Sequence, residues 1–410
     1  MKILVSAAEI SSDIQAEACI RALYNRLTAS GATVELSGIG GPLVRSLPGF
    51  RCLEPAENLR TMGVGELLKS YLYIRKVGFR LIDLALEFQP DMIITFDYPN
   101  FHLEMMEKLK PRIKNSPVRN ALKICAIPPK LWVWRAGRIK LIKRLYDGVL
   151  VILPFEKDFY QQRGVHAIYE GNPLIASLPY DLSQTDALSR LGCDGFDPAV
   201  WTPVAVLPGS RDGELAHNLP VLKPALEKAA ALSGRKLLAL VPVSPGASQE
   251  LVRAHLTDSE SVVYRTFEGR SHECMRAAPV GLIKSGTSTL EAVMLGCCPV
   301  IYYKTGLLTE LTFRLVTRYL GPVGLPNILL GIKKRCDALF PEYLGPEATP
   351  EALAQALAAA IENRGDTAQH AETLKNMLVP HDDVPGRLAE RLIEWHRNKM
   401  TLSRQEESRV

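Results

Sequence analysis

No CxxC pair occurs among the eight cysteines of this 410-residue chain, and Cys297 and Cys298 are adjacent, a spacing that serves neither a zinc site nor a disulfide framework. The cysteines read as reduced thiols, mostly buried. Long apolar runs are missing too. No uncharged stretch approaches the ~18 residues of a membrane span, and the first apolar run meets Glu9 too early to be a signal-peptide core. A cytosolic protein is expected. Neither sign of charge dominates: 49 basic residues oppose 44 acidic ones, and the net +5 is informative only where it clusters. Arg112, Lys114, Arg119 and Lys123 form one cluster, and Arg135, Arg138, Lys140, Lys143 and Arg144 another. Neither carries a nucleic-acid-binding motif or interleaved aromatics, so an anionic membrane surface is the better expected partner and nucleic acid is not expected.

What is present is enough apolar material, 47% of residues, for a large core in two domains. The organising stretch is Val280 to Tyr303. Val280–Ile283 reads as a buried strand, Ser285 to Thr289 opens a helix with Leu290, Val293 and Met294 facing inward, and Val300–Tyr303 is the next strand. Free N–H groups and the positive end of the helix dipole converge before Ser285, Gly286, Thr287 and Ser288, which suits a diphosphate. Glu291, one turn in, is spaced to accept from two ribose hydroxyls. An ordinary α/β unit with a Ser/Thr cap and a solvated Glu fits the same letters.

Strands and helices alternate along the rest of the chain. Strands are expected at Lys2–Ala7, Val34–Gly38, Met92–Phe96, Leu122–Ile127, Gly148–Leu153 and Ala167–Glu170, a linker within Ile175–Trp201, then strands at Val204–Leu207, Leu237–Val243 and Val262–Tyr264. The fold class is α/β with two Rossmann-like domains: 1–180, 181–380, and a C-terminal helix and polar tail over 381–410, for which packing back on the N-terminal domain is one option. Thr401–Val410 is expected to fray. Asp97, at the C-terminal end of its strand, points into the crevice where parallel sheets bind ligands and is a candidate general base; a helix cap or Asx turn before Pro99 is the alternative. In Pro208-Gly-Ser-Arg-Asp-Gly-Glu214 a guanidinium is placed to clamp a phosphate and glycine lets backbone approach, making Gly209, Ser210 and Arg211 candidates. Asn327 could donate to a phosphate or sugar, or only shape a turn. In Thr61–Arg80, Leu68, Tyr71, Leu72, Phe79 and Ile82 recur at helical spacing among Lys69, Arg75, Lys76 and Arg80. An interfacial segment reads this way, and so does a core helix with a basic solvated side.

Gly38-Ile-Gly-Gly-Pro42, Thr61-Met-Gly63, Asp97-Tyr-Pro-Asn-Phe101, Trp132-Val-Trp-Arg135, Leu153-Pro-Phe-Glu156, Leu207-Pro-Gly-Ser-Arg211, Ser285-Gly-Thr287 with Glu291, and Leu325-Pro-Asn327 follow one another in an order that resembles the lipid-A-disaccharide synthase family. These are inverting glycosyltransferases of the B type, with two Rossmann-like domains facing a cleft. The match runs from Met1 to about Asp383. It implies transfer of 2,3-diacylglucosamine from UDP to the 6-hydroxyl of 2,3-diacylglucosamine 1-phosphate, giving a β-1,6 disaccharide and UDP, with no metal and no cofactor. The partners implied are the UDP-diacylglucosamine donor, the acylated glucosamine 1-phosphate acceptor and an inner-membrane lipid surface, met peripherally from the cytoplasmic face; a homodimer is left open.

Glu9 and Asp13 match the family's acidic pattern and stand behind Asp97 as candidate bases. Met62, Leu68, Leu72, Phe79, Trp132, Trp134 and Arg135 are the expected acceptor or membrane side. Departures from the family pattern are Ala8 and Ser12 in place of glycines, Asn172 in place of a histidine, and Gly345 in place of a glutamine. Another UDP-sugar enzyme of the same architecture is an alternative, as is a non-catalytic nucleotide-binding membrane adaptor, against which Asp97 and Arg211 both argue.

Overall fold

A computed structural model describes residues 1–9, 12–59, 67–132, 136–304 and 321–407. The chain forms two compact units, Met1–Ala176 together with Met377–Val410, and Ser177–Asn376. The first is a parallel sheet of β1 (Lys2–Ala7), β2 (Glu35–Gly40), β3 (Arg51–Pro55), β4 (Met92–Phe96), β5 (Leu122–Ala126), β6 (Gly148–Leu150) and β7 (Ala167–Ile168), ordered β3-β2-β1-β4-β5-β6-β7. Its central strands are nearly unbroken apolar runs because helices cover both faces, leaving no solvent side to demand alternation. One face packs Ile3, Ile94 and Ile124 against Ile20 and Leu23 of helix Asp13–Ala29 and Leu388 and Leu392 of helix Val384–Glu407. The other packs Leu4 and Ile93 against Leu81 of helix Leu67–Phe88 and Met106 of helix Pro99–Arg112.

The C-terminal helix is tied down by a ring. A Cβ on Gly148 would lie 2.3 Å from Cη2 of Trp395 and 2.4 Å from the His166 carbonyl oxygen, so the first residue of β6 is glycine and the indole fills its place. The helix continues to Glu407, whereas fraying was expected from Thr401.

The second unit holds β8 (Trp201–Leu207), β9 (Lys236–Val243), β10 (Val262–Glu268), β11 (Val280–Lys284), β12 (Cys298–Tyr303) and β13 (Glu342–Leu344), all parallel in the order β10-β9-β8-β11-β12-β13. Strands β3 and β13 are corrections to the sequence reading. Both are edge strands paired on one side, and Arg51-Cys52-Leu53 is exposed to half-buried, so neither writes the apolar run by which the central strands are recognised. All eight cysteines are free thiols, with only Cys52 and Cys336 exposed.

Helix Leu67–Phe88 answers part of the ambiguity over Thr61–Arg80. Val77, Leu81, Ile82 and Ala85 are fully buried, so Ile82 belongs to the core face, while Tyr71 and Leu72 are 51% and 55% exposed. One helix therefore serves a core face and an open apolar face.

In each sheet the chain order reverses once, between β1 and β4 and between β8 and β11. Loops leaving neighbouring strands in opposite directions at such a point open a crevice at the strands' C-terminal ends.

Candidate functional site

In the second unit the loops after β8 and β11 leave adjacent strands, Leu207 pairing with Ile283. They carry Gly209, Ser210, Arg211 and Ser285, Gly286, Thr287, Ser288. Helix Thr287–Met294 anchors itself by burying Leu290, Ala292, Val293 and Met294, and Thr289 turns back on its own turn, its Oγ1 donating to Gly286 O at 2.8 Å. The first N–H groups of a helix have no intrahelical partner, so those of Thr287 and Ser288 lead into the crevice. Arg211 and Ser210 are exposed at its other wall.

A half-buried ion pair fixes the two loops to each other. Lys284 Nζ donates to Glu214 Oε1 at 2.8 Å, and Ser210 N donates to Glu214 Oε2 at 3.0 Å. Burial pushes the Glu214 carboxyl up, but Lys284 and the Ser210 N–H outweigh it and hold the group below the usual carboxylate range. Gly209 has φ 132°, and a Cβ there would meet Glu214 Oε2 at 2.8 Å, so this glycine is required twice over. Asn218, fully buried, bonds Pro208 O at 2.8 Å and accepts from Lys304 N.

Glu291 is buried and its Oε2 meets His272 Nε2 at 2.7 Å. His272 was not singled out in the sequence; it lies on helix Ser271–Ala277 and leaves one carboxylate oxygen, Oε1, for a ligand. Asn327 requires a correction. It is fully buried, its Nδ2 donates to Phe340 O at 2.8 Å and Glu342 Oε1 at 2.7 Å, and its Oδ1 accepts from Phe340 N. With both N–H groups spent it shapes its loop and has none for a phosphate or sugar.

In the first unit, Asp97 follows β4 and Glu9 follows β1, strands paired at Ala7 and Phe96. Asp97 has φ 50° and Tyr98 φ 46°, a left-handed pair without glycine, and Ile127 at the end of β5 has φ 52°. Non-glycine residues held this way cost about 1–3 kcal/mol each and collect at ligand sites. His102 holds the turn: buried on helix Pro99–Arg112, it contacts Asp97 O through Nδ1 at 2.6 Å and Ser6 Oγ through Nε2 at 2.8 Å. Burial lowers its pKa to about 4, so the ring is neutral, Nδ1–H donates to the carbonyl and Nε2 accepts from the hydroxyl.

Asp13 is 2% exposed and accepts from Leu43 N at 2.8 Å and Val44 N at 3.2 Å. Burial raises its pKa against those N–H groups. A Cβ on Gly41 would stand 2.5 Å from the carboxylate, which accounts for glycine there. Asp13 thus positions the Gly-rich turn. Ser12, at φ −91°, needs no glycine; its Oγ donates to Glu9 O at 2.8 Å and closes the acidic loop. Asn172 caps helix Pro173–Ala176, Oδ1 accepting from Leu174 N at 3.1 Å.

Trp132 is half-buried and donates from Nε1 to Glu156 Oε1 at 3.1 Å, its ring edge-on to Phe155 at 5.0 Å. Leu72 and Phe79 are exposed on helix Leu67–Phe88. Met62, Trp134 and Arg135 lie outside the described residues, as does the side chain of Leu68.

The lipid-A-disaccharide synthetase family matches residues 3–384. Lipid-A-disaccharide synthase of Azotobacter vinelandii is 32% identical, over 96% of this chain and 98% of its own length. Among solved structures, a putative UDP-N-acetylglucosamine 2-epimerase from Listeria monocytogenes superposes with TM-score 0.57 at 14% identity, covering 96% of this chain and 94% of its own. Arabidopsis thaliana UGT89C1, complexed with UDP-L-rhamnose, gives 0.56 at 14% identity, covering 97% and 98%. At that identity the likeness is one of fold, the B-type glycosyltransferase fold.

Glu156, 2% exposed, is the carboxyl with a testable titration. Burial pushes it up to about 7, with Trp132 and Lys130 pulling the other way. Between the ordinary carboxylate pKa and 7 the folded chain holds a proton the unfolded chain has lost, so this group's contribution to stability declines as pH rises through that window. Glu156→Gln should remove the decline. In urea unfolding its stability relative to wild type should rise by about 2 kcal/mol between pH 5 and pH 8; a pH-independent difference would mean that Glu156 is ionised throughout.

Proposed function

The chain belongs to the lipid-A-disaccharide synthetase family, and on that premise we propose that the second unit takes the nucleotide of the donor and the first the lipid acceptor. It is a glycosyltransferase that forms the lipid A disaccharide from a UDP-sugar and a lipid acceptor. In the finer reading, 2,3-diacylglucosamine passes from UDP to the 6-hydroxyl of 2,3-diacylglucosamine 1-phosphate in one inverting displacement.

The observation that carries the division is that the loops after β8 and β11 leave adjacent strands, one carrying Ser210 and Arg211 and the other opening the N-terminus of helix Thr287–Met294. As the bond to the diphosphate breaks, negative charge grows on the leaving oxygens. Donors already in position stabilise that charge without reorganising, which is where most of the rate gain arises. Glu291 Oε1 would accept from the ribose, with His272 fixing the carboxylate's orientation. In the first unit Asp97 removes the proton of the attacking hydroxyl. His102 and Ser6 hold its backbone in the strained turn, so the carboxylate is aimed before substrate arrives.

The lipid side is read from helix Leu67–Phe88. Between it and helix Pro99–Arg112 runs a groove of about 380 Å³ with Tyr71, Ile74, Phe79, Phe101 and Met105 in its walls. Lys108 lies 4.7 Å from the Phe79 ring centroid, and Arg75 lies 5.9 Å from it. An acyl chain fits such walls, with cations at the rim for a phosphate. Among the described residues no helix is long and apolar enough to cross a membrane, and the exposed Tyr71, Leu72 and Phe79 favour peripheral docking on the cytoplasmic face of the inner membrane.

Incubation with UDP-2,3-diacylglucosamine and the acceptor should yield disaccharide and UDP by mass spectrometry; a different acylated product would reassign the acceptor. Arg211→Ala should weaken UDP binding roughly ten- to a hundredfold in calorimetry, the loss of one charge-assisted hydrogen bond of about 1.5–3 kcal/mol. Unchanged affinity would remove Arg211 from the site.

Asp97→Asn should lower kcat by about 10²–10⁴ with UDP affinity intact. Wild-type turnover by Asp97→Asn, beside a dead Glu9→Gln, would transfer the role of base to Glu9.

Leu72→Ser with Phe79→Ser should release the protein from anionic liposomes while leaving its thermal midpoint and UDP binding alone, because both side chains are exposed. Undiminished sedimentation of the double variant would end the assignment of this helix to the membrane.

A further inference from the structure

The two basic clusters of the sequence meet in three dimensions. Lys114 and Arg119, between helix Pro99–Arg112 and β5, come together with Lys143 and Arg144 at the end of helix Ile139–Leu145 around a cavity of about 900 Å³. Lys110, Lys123 and Lys399 complete its cationic lining, and Glu107 and Asp147 are the acidic residues in it. Seven positive side chains against two negative leave an excess of five, equal to the formal net charge of the whole chain, +5. Outside this cavity the basic and acidic residues of the chain are equal in number.

Both carboxylates are already engaged, Glu107 with Arg144 and Asp147 with Lys399. Lys110 donates to Arg144 O at 2.7 Å, and Lys123 to Arg119 O and Ala121 O, both at 2.8 Å, so these two charges meet carbonyl dipoles instead of anions. Lys123 is the unusual member. It stands on β5, 8% exposed, with one of its three ammonium N–H groups beyond those two bonds. Burial, with the nearby Lys399 and Lys110 charges adding to it and Asp147 pulling the other way, lowers its pKa to about 8. A buried ammonium among like charges is costly; an anion in the cavity would relieve the repulsion.

We propose that this cavity binds a phosphate-bearing ligand. It lies at the N-terminal ends of β5 and β6, where Lys123 and Asp147 stand, whereas Asp97 and the acceptor crevice lie at the C-terminal ends of the same sheet. It is therefore a second site. Its volume is that of a pocket for a small organic ligand, with Leu109, Ile113 and Leu145 as its apolar walls. Phosphate chemistry could be supplied by a soluble phosphate compound or by the headgroup of an anionic phospholipid.

The test uses the full chain saturated with UDP, so that the nucleotide crevice does not report, at low ionic strength, where surface charge is least screened. Inorganic diphosphate is titrated by calorimetry, and sedimentation is measured with vesicles of phosphatidylglycerol in phosphatidylcholine. Wild type should bind at least one probe, and Lys114→Glu with Lys143→Glu should weaken that binding at least tenfold, the neutral Lys114→Gln with Lys143→Gln less so. Both positions are exposed, and UDP affinity reports that the variants fold. Leu72→Ser with Phe79→Ser should leave the diphosphate response unchanged. Diphosphate binding identifies a soluble phosphate ligand, and vesicle binding alone identifies a headgroup. Failure of wild type to bind either probe, or equal binding by the charge-reversed variant, overturns the site.

Discussion

A carboxylate taken out of water must be met by donors or lose its charge, and the ligand-side loops of both units are built around that demand. Asp13 gathers the N–H groups of Leu43 and Val44, Glu156 takes the Trp132 indole, and Glu214 takes Lys284 and the Ser210 amide. Glu342 accepts from Val323 N, Gly324 N and Asn327 Nδ2 at 2.7–2.9 Å. Motifs that stand apart in the sequence are joined by these bonds. The acidic loop after β1 is one hydrogen-bonded body with Gly40-Gly41-Pro42, Trp132 with Leu153–Glu156, Gly209-Ser-Arg211 with β11, and Leu325-Pro-Asn327 with Pro341-Glu342. Removing any one carboxylate would strand the donors it holds, at about 1–3 kcal/mol for each left buried.

This pairing also marks where reading the sequence stops. The central strands are legible because a parallel strand covered on both faces has to be apolar from end to end, and strand ends follow from that. The places of Asp97, Arg211 and the Ser285–Ser288 turn in the fold are legible for the same reason, since each lies in the loop that follows such a run. The partners are not. His102 meets Ser6 across 96 positions and Lys284 meets Glu214 across 70, separations over which no local pattern is written. Asn327 was misplaced because an asparagine after proline looks the same whether its amide faces solvent or, as here, is closed in by Phe340 and Glu342.

The altered residues of the family pattern bear on function through backbone geometry. Glycine is obligatory where φ is positive or a Cβ would collide. Ser12 meets neither condition, since its backbone is right-handed, and its hydroxyl adds a bond to Glu9 O that glycine could not make. Asn172 caps a short helix with its own carbonyl oxygen, work that does not need an imidazole. Neither substitution is part of the left-handed turn at Asp97 and Tyr98.

Polarity of the sheet separates the two ends of the first unit. The strands run parallel, so helices enter at the C-terminal edge with their N-termini and leave at the opposite edge with their C-termini. A helix C-terminus prefers a cation, worth about 0.3–1 kcal/mol when exposed. Lys110 and Arg112 in one last turn, and Lys143 and Arg144 in another, satisfy that preference. Lys114, Arg119, Lys123 and Lys399 stand in the last turn of neither helix, yet they enlarge the same positive field, and Lys123 does so from a buried strand position where an apolar residue would fold more readily. Helix dipoles account for the first four cations and not for the rest. A charge kept at a folding cost, beside a cavity, is accounted for by an anion that comes and goes.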